Sequence, residues 1–528
     1  VIYSREHNCV LYKTDPAPVC AVIPDAKPIN GHYVAVPVAL RSFQLLRLLG
    51  LPVPNLLELD YDWPMLAGRK PYEHQKYMAA FHALHPRSFN LSQMGTGKTL
   101  GVLWGADYLM RAGVVHKALI LSPLSTLKRV WDDEVFRNFT GRRSAAILYG
   151  DRMQRLDGLR KDVDFYVINH DGLGVGSKKA SNKLVLGQLA ETIKNRADID
   201  LIIVDEASAY KDSTALRTRI LRQVIADKSY VWQLSGTPTP NAPTDAYSLA
   251  RIAGNLGNES LRSFQSRTMF QVSQFKWVPK TQAHEIVKQA LSPAVRFSRE
   301  ECIDLPECVV ETRDVELSDT QQKAYKDLKK DLQVILKTGQ VNAINEASLR
   351  IKLLQVECGA LYGEAKEVHR LDVMPRLSVL REVIDEAAGK ILVFAPFTSA
   401  VNLLYNELKG WYGDASVARV MGDTSAKARE HIFGRFEAEA DPRVIVADAG
   451  TMSHGLTLVA ANTIVWWGPV DRLETFEQAN ARINRPGQKR KMLIVQLASS
   501  PITHEIYKRL GEKSSLQGVI LKLAEEGR

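Results

Sequence analysis

Two sets of five short apolar runs, each separated by helix-like segments, constrain this chain more than any other feature. The first set is Ala118–Leu121, Ala145–Leu148, Phe165–Ile168, Leu201–Val204 and Tyr230–Leu234. The second is Ile391–Phe394, Val417–Val420, Val444–Ala447, Thr463–Trp467 and Met492–Leu497. Runs rich in leucine and β-branched residues, with little polar alternation, suit strands buried on both faces. Such strands need helices on either side, so the pattern predicts an α/β protein with two parallel-sheet lobes. The 528 residues allow several domains. The expected layout is a small α+β accessory module over 1–60 and a first lobe over 70–254. A mostly helical insertion and linker over 255–375 leads to a second lobe over 376–528, which ends in a basic segment.

Within the accessory module, Cys9–Tyr12, Val19–Ile23 and His32–Val38 read as β-rich pieces divided by Pro and Gly turns. Ala39–Leu49 reads as an amphipathic helix closed by Gly50, and residues 51–64 as an extended connector interrupted by prolines. The five cysteines are widely spaced and contain no CxxC pair, which points to neither a disulfide framework nor a zinc site. No run approaches the roughly 20 apolar residues of a membrane span.

Ser92-Gln93-Met94-Gly95-Thr96-Gly97-Lys98-Thr99 follows the short apolar stretch Ser88–Leu91 and opens a helix near Leu100. That strand–loop–helix context is what a phosphate-binding loop needs. Glycines let backbone N–H groups wrap a phosphate, Lys98 adds positive charge, and Thr99 offers a hydroxyl to Mg²⁺. Ser92 stands where the longer consensus has its first glycine, so the match is to the core GxGKT. The Leu201–Val204 run ends in Asp205-Glu206. Asp205 is placed to hold the metal, and Glu206 is the candidate base for an attacking water. Together these motifs predict nucleoside triphosphate hydrolysis.

Further segments, in order, resemble superfamily 2 helicases, and most closely their SNF2-like branch. Tyr72-Glu73-His74-Gln75 is similar to the family's Y-x-x-Q motif, which implies that Gln75 reads adenine. Ser122-Pro123-Leu124-Ser125, with Trp131 and Glu134, resembles motif Ia. Val167-Ile168-Asn169-His170 resembles the next backbone-contacting motif, and Ser235-Gly236-Thr237-Pro238 with Asn241 resembles motif III. In the second lobe, Lys390–Phe394, Gly422-Asp423-Thr424, Arg429 and Phe436 follow the family spacing. His454-Gly455-Leu456-Thr457-Leu458 sits at motif V, with Thr457 where the family usually carries Asn. Gln478-Ala479-Asn480-Ala481-Arg482-Ile483-Asn484-Arg485-Pro486-Gly487-Gln488 fits Q-A-x-x-R-x-x-R-x-G-Q without a gap. Arg482 and Arg485, three apart, are expected on one helical face, acting as arginine fingers.

The resemblance spans about residues 70–500 and implies RecA-like lobes that bind ATP and Mg²⁺. In that reading Gln75, Met94, Gly95, Thr96, Gly97, Lys98, Thr99 and Gly455 line the nucleotide, and Thr99 and Asp205 hold the metal. Lys98, Glu206, Arg482 and Arg485 carry catalysis. Ser125, which could cap a helix, contacts nucleic acid with Asn169, His170, Thr424 and Thr457. The implied activity is that of an ATP-dependent DNA translocase or helicase on duplex, forked or branched DNA. It would work as a monomer in the cytoplasm of a bacterial or phage-infected cell, with replication or recombination proteins as further partners. An RNA helicase and a DNA-binding scaffold with a vestigial ATPase are the alternatives. Val470-Asp471-Arg472-Leu473 lacks the D-W-N-P of eukaryotic SNF2 proteins, so nucleosome remodelling is not implied.

The net formal charge of +10 is modest for a nucleic-acid motor. Residues 485–528, however, hold nine basic against four acidic residues. That segment reads either as a groove for a phosphate backbone or as a solvated helix. Trp466, Trp467 and Phe476 are available as a strand-separating wedge, but their apolar setting favours packing.

Overall fold

The computed structural model describes residues 1–4, 6–180, 183–273, 276–302, 305–337, 343–362, 368–452, 458–485 and 487–522. The chain divides into two compact units, the first holding residues up to Cys302 and again from Val519, the second running from Ile303 to Gly518. Among the described residues the first unit carries a seven-stranded parallel sheet. Its order is Ala294–Val295, Arg87–Asn90, Tyr230–Leu234, Ile199–Val204, Lys117–Ser122, Phe165–Asn169 and Ala145–Leu148. The second carries a six-stranded parallel sheet ordered Cys308–Asp314, Met492–Ala498, Ala461–Trp466, Lys390–Ala395, Val444–Asp448 and Val417–Val420. All ten expected strands are present, so the fold is α/β with two RecA-like lobes. Burial on both faces is near complete: Ile202, Ile203 and Val204 in the first sheet, like Leu392, Val393 and Phe394 in the second, are fully enclosed.

Each sheet also gains an edge strand from the stretch 255–375, which sequence reading treats as an insertion. Ala294–Val295 pairs in parallel with Phe89-Asn90, directly before the phosphate loop. Cys308–Asp314 pairs in parallel with Met492–Ala498. The helices Leu261–Thr268 and Ala283–Ala290 bury Phe264 and Val287 in the first unit's core. The sequence boundaries at 254 and 376 therefore differ from the structural one at 302, because both lobes recruit this stretch to finish their sheets.

The N-terminal segment forms a four-stranded antiparallel sheet ordered Ile2–Ser4, Cys9–Lys13, Tyr33–Pro37 and Lys27–Asn30. The expected strand at Val19–Ile23 is instead the end of a helix, Pro16–Val22. Asp15 caps it by accepting from Ala17 N at 3.0 Å, and Pro16 occupies the first turn, where its fixed φ favours helix. The connector is likewise not wholly extended. Asn55 accepts from Leu57 N at 3.1 Å and starts a short helix, Leu56–Asp60. The helix Leu40–Leu48 forms as expected, ending at Gly50 with φ 72°.

This N-terminal part is continuous with the first lobe. Val10, Val34, Phe43, Leu46 and Leu57 share one buried cluster with Ala79, Leu103 and Trp104. Tyr61 donates to the buried carboxylate of Asp107 at 2.6 Å, and Trp104 Nε1 donates to Pro64 O at 2.8 Å. Asp107 and Trp104 both lie on the helix Lys98–Arg111, which begins at the phosphate loop.

Candidate active site

The phosphate loop turns through two left-handed glycines, Gly95 with φ 85° and Gly97 with φ 74°, a conformation that L side chains rarely adopt. Gly97 has a second requirement, since a Cβ there would lie 2.0 Å from Gln75 Nε2. Gln75 braces the loop: its amide donates to Gly97 O at 3.3 Å and accepts from Tyr72 N at 3.2 Å. Its neighbour His74 meets Thr96 O through Nε2 at 2.8 Å, and burial pushes the His74 pKa down, favouring the neutral ring. Thr96 in turn donates to Gln93 O at 2.8 Å. His74 was not singled out from sequence, although its place inside the Y-x-x-Q motif was a clue.

The downstream edge segment holds the loop's other flank. Phe297 N donates to Ser92 Oγ at 3.0 Å, Gln93 N to Phe297 O at 2.9 Å, and Arg299 N to Gln93 Oε1 at 2.9 Å. Ser92 at the consensus glycine position is thereby explained, because its hydroxyl serves as an acceptor for this segment. Lys98 Nζ donates to Ser92 O at 2.7 Å and Gln93 O at 3.1 Å, so its charge is held over the loop. Met94 and Thr99 are partly exposed, with Thr99 in the first turn of the helix.

Asp205 and Glu206 follow the Ile199–Val204 strand at its carboxyl end. Asp205 Oδ2 accepts from Trp131 Nε1 at 3.0 Å and Ser122 Oγ at 3.1 Å, while Oδ1 accepts from Glu206 N at 3.1 Å. Burial drives this carboxyl's pKa up, against the lowering pull of the Trp131 bond and the Lys98 charge. Glu206 adopts a left-handed backbone with φ 48°, unusual for a non-glycine residue and a form of strain that concentrates at functional sites. Gly236 of the Ser235–Pro238 segment packs beside Met94, 3.6 Å from where a Cβ would sit. Among the described residues no cluster of His, Cys, Asp and Glu forms a closed metal cage. Mg²⁺ is typically held by one or two protein oxygens plus substrate phosphates. Thr99 and Asp205 are a donor set of that kind.

The expected nucleic-acid residues are less uniform. Ser125 is exposed on the turn Leu124–Thr126 but caps no helix, because it lies inside that turn rather than before it. Asn169 Oδ1 accepts from the buried Arg155 at 3.1 Å. His170 is buried, with Nδ1 3.2 Å from the Tyr210 hydroxyl. In the second unit Thr424 Oγ1 accepts from Met421 N at 3.0 Å and closes its own turn. Arg429 ties that turn to Thr451 O at 3.4 Å. Gly455 and Thr457 lie outside the described residues.

Arg482 and Arg485 do not share a helical face. The helix Leu473–Asn480 ends before them, and both sit in the turn that follows. The sequence reason is local: Pro486 disfavours the α conformation at Arg485, and Gly487 adopts φ 100°. Arg482 is almost wholly buried, and its carbonyl accepts from Leu458 N at 3.1 Å. Arg485 Nε donates to Ala481 O at 3.0 Å. Gln488 Nε2 donates to Ile483 O inside the turn and to Val459 O and Ala461 O at the start of the Ala461–Trp466 strand, so it fastens the turn to the sheet. Trp466, Trp467 and Phe476 are buried, with the Trp466 and Phe476 rings tilted against each other at 4.9 Å between centroids, as packing requires.

A phosphate loop opening a helix, an Asp-Glu pair ending a neighbouring strand and a second parallel α/β lobe define a P-loop ATPase of two lobes. The chain belongs to the SNF2-related family of superfamily 2 ATPases and helicases. The SNF2-related domain matches residues 91–359, and the helicase conserved C-terminal domain matches 375–487. The family implies ATP with a divalent metal. Putative protein p41 of Acyrthosiphon pisum secondary endosymbiont phage 1 is 23% identical over 488 residues, covering 86% of this chain and 98% of that protein. The RAD54-like DNA repair and recombination protein of Gallus gallus is 25% identical over 470 residues, covering 81% of this chain and 63% of its own length. The putative ATP-dependent helicase/translocase YwqA of Bacillus subtilis is 25% identical over 448 residues, covering 81% and 46%. The chain thus spans less than two thirds of the last two. The Sulfolobus solfataricus SWI2/SNF2 ATPase core in complex with dsDNA is similar at 21% identity and TM-score 0.40, covering 88% of this chain and 96% of that one. No helix among the described residues is long and apolar enough to cross a membrane.

Proposed function

We propose that this protein is a DNA-dependent ATPase that couples ATP hydrolysis to movement along DNA and remodels forked or branched DNA. The observation that carries the reading is the joined geometry of the phosphate loop and Asp205-Glu206 in one sheet, in a chain with both SNF2-related and helicase C-terminal domains. Lys98 would exchange its two carbonyl acceptors for phosphate oxygens, and Gly95 and Gly97 would turn backbone N–H groups toward them. Bound Mg²⁺, held by Thr99 and Asp205, would supply charge neutralisation on the phosphates. Glu206 would orient the attacking water and take its proton. Arg482 and Arg485 are the second lobe's candidates for neutralising charge on the transferred phosphoryl group. The exposed Ser125 turn and Thr424 turn are the candidate backbone contacts, with phosphate binding that is independent of sequence.

The test is ATP turnover measured with single-stranded, duplex, forked and four-way DNA, and with RNA. Stimulation should be strongest with duplex or branched DNA. Stimulation by RNA alone would move the assignment to an RNA helicase, and none by any nucleic acid would leave a scaffold. Lys98→Ala, Glu206→Gln and Arg482→Ala should each remove most of the stimulated activity; one of them turning over at the wild-type rate would refute its assigned role.

A further inference from the structure

We infer that Trp131 is a positioning residue for the Asp205 carboxylate, setting which oxygen faces the metal. The inference rests on the proposed metal-holding role of Asp205 and extends it to a side chain 74 positions away. Trp131 is fully buried, although its neighbours Lys128, Arg129, Asp132 and Asp133 are all charged. It belongs to Leu127–Asp132, a stretch of wide π-type helical turn, which is a rare geometry enriched at functional sites. The indole Nε1 can only donate, and it donates to Asp205 Oδ2 at 3.0 Å.

The count of lone pairs gives this bond its consequence. Oδ2 accepts from both Trp131 and Ser122, which takes up its two acceptor positions. Oδ1 accepts from Glu206 N alone, so it is the oxygen with capacity left. The two donors on Oδ2 are not equivalent. Ser122 Oγ also lies 2.5 Å from Thr126 Oγ1, and Thr126 Oγ1 lies 2.8 Å from Pro123 O. Each hydroxyl has one proton. If Thr126 bonds Pro123 O, Ser122 must turn to Thr126 and leaves Asp205. If Ser122 serves Asp205, Thr126 must turn to Ser122. Trp131 is therefore the unconditional donor and Ser122 the conditional one. The choice is made at the turn Leu124–Thr126, whose Leu124 and Ser125 are exposed. Any ligand that reshapes this turn is connected through two hydroxyls to the carboxylate at the ATP site.

Trp131→Phe keeps the buried ring and deletes the N–H. The measurement is binding of a fluorescent ADP analogue by the full chain, titrated with Mg²⁺ and repeated in chelator. The Mg²⁺ midpoint should rise roughly ten-fold or more, the usual cost of removing an outer partner of a metal ligand. Metal-free ADP affinity should stay at the wild-type value, a split that general loosening of the fold would not produce. An unchanged Mg²⁺ midpoint overturns the inference. Should Trp131→Phe not fold, the indole N–H proton resonance of Trp131 in the wild-type ADP complex decides: a shift on adding Mg²⁺ supports the inference and an unmoved resonance overturns it. A wild-type protein whose ADP binding ignores Mg²⁺ would instead remove the reading of Asp205 on which the inference rests.

Discussion

The phosphate loop of the first unit and the arginine motif of the second match their family patterns with similar fidelity in sequence, yet they take shape differently. At Ser92–Thr99 the expected local structure forms: a strand, left-handed glycines and a helix starting at Lys98. At Gln478–Gln488 the helix stops at Asn480, and the arginines occupy a turn fastened by Gln488. The loop's geometry is dictated by glycines in a left-handed conformation that L side chains rarely adopt. The spacing of the arginines dictates nothing by itself, since three residues define a helical face only where a helix continues.

The largest effect should separate the two arginines. Arg485→Ala should lower DNA-stimulated turnover by about 10³-fold, the lower end of an arginine-finger effect, while leaving the melting temperature unchanged. Arg482→Ala should lower both, because its side chain is buried. Equal thermal behaviour of the two variants would break the distinction drawn here. Next is acid sensitivity of the first unit. Burial lowers the pKa of His82 to about 3 and that of His85 to about 4. Both are neutral in the fold, whereas the unfolded chain takes up protons below about pH 6.5. Their contribution to stability is full above that pH and is lost as pH falls towards the folded values. Between pH 7 and pH 5 each should cost about 2 kcal/mol. Denaturant titrations at the two pH values check this, and a fold equally stable at both would contradict it.

A smaller effect tests the loop's dependence on glycine. Gly97→Ala should destabilise by about 1–2 kcal/mol from the left-handed backbone alone, with Gln75 displaced by the new Cβ. A chemical-denaturation midpoint equal to wild type would show that the loop relaxes freely. The smallest concerns the N-terminal helix that sequence reading took for a strand. Asp15→Ala should cost about 1 kcal/mol through loss of its cap, measured the same way.

What was legible in the sequence was whatever is encoded by neighbouring residues. The ten expected strands could be read because each is a continuous apolar run, including Ala145–Leu148 and Val417–Val420, which lie at the sheet edges. The two edge strands from the stretch 255–375 could not. Ala294–Val295 has two residues, and Cys308–Asp314 exposes Val309 and Val310 while carrying Glu311, Arg313 and Asp314. Helix Pro16–Val22 was hidden by valines and marked only by Asp15-Pro16. In the site, Gly95, Gly97, Lys98, Asp205 and Glu206 were evident from type and spacing. The partners that hold them were not, because His74 to Thr96 and Trp131 to Asp205 are bonds across 22 and 74 residues. His170 was named as a nucleic-acid contact through motif resemblance, which carries no information on burial; the structure buries it beside Tyr210.

The shared core of residues 1–61 and the first lobe has a practical consequence. A chain shortened to start at residue 70 would not release an independent motor. It would open the apolar wall around Ala79, Leu103 and Trp104 to water and leave the Asp107 carboxylate without the Tyr61 hydroxyl. Such a fragment should be prone to aggregation, and in the intact protein the four N-terminal strands and the helix bearing Lys98 should melt in a single cooperative transition.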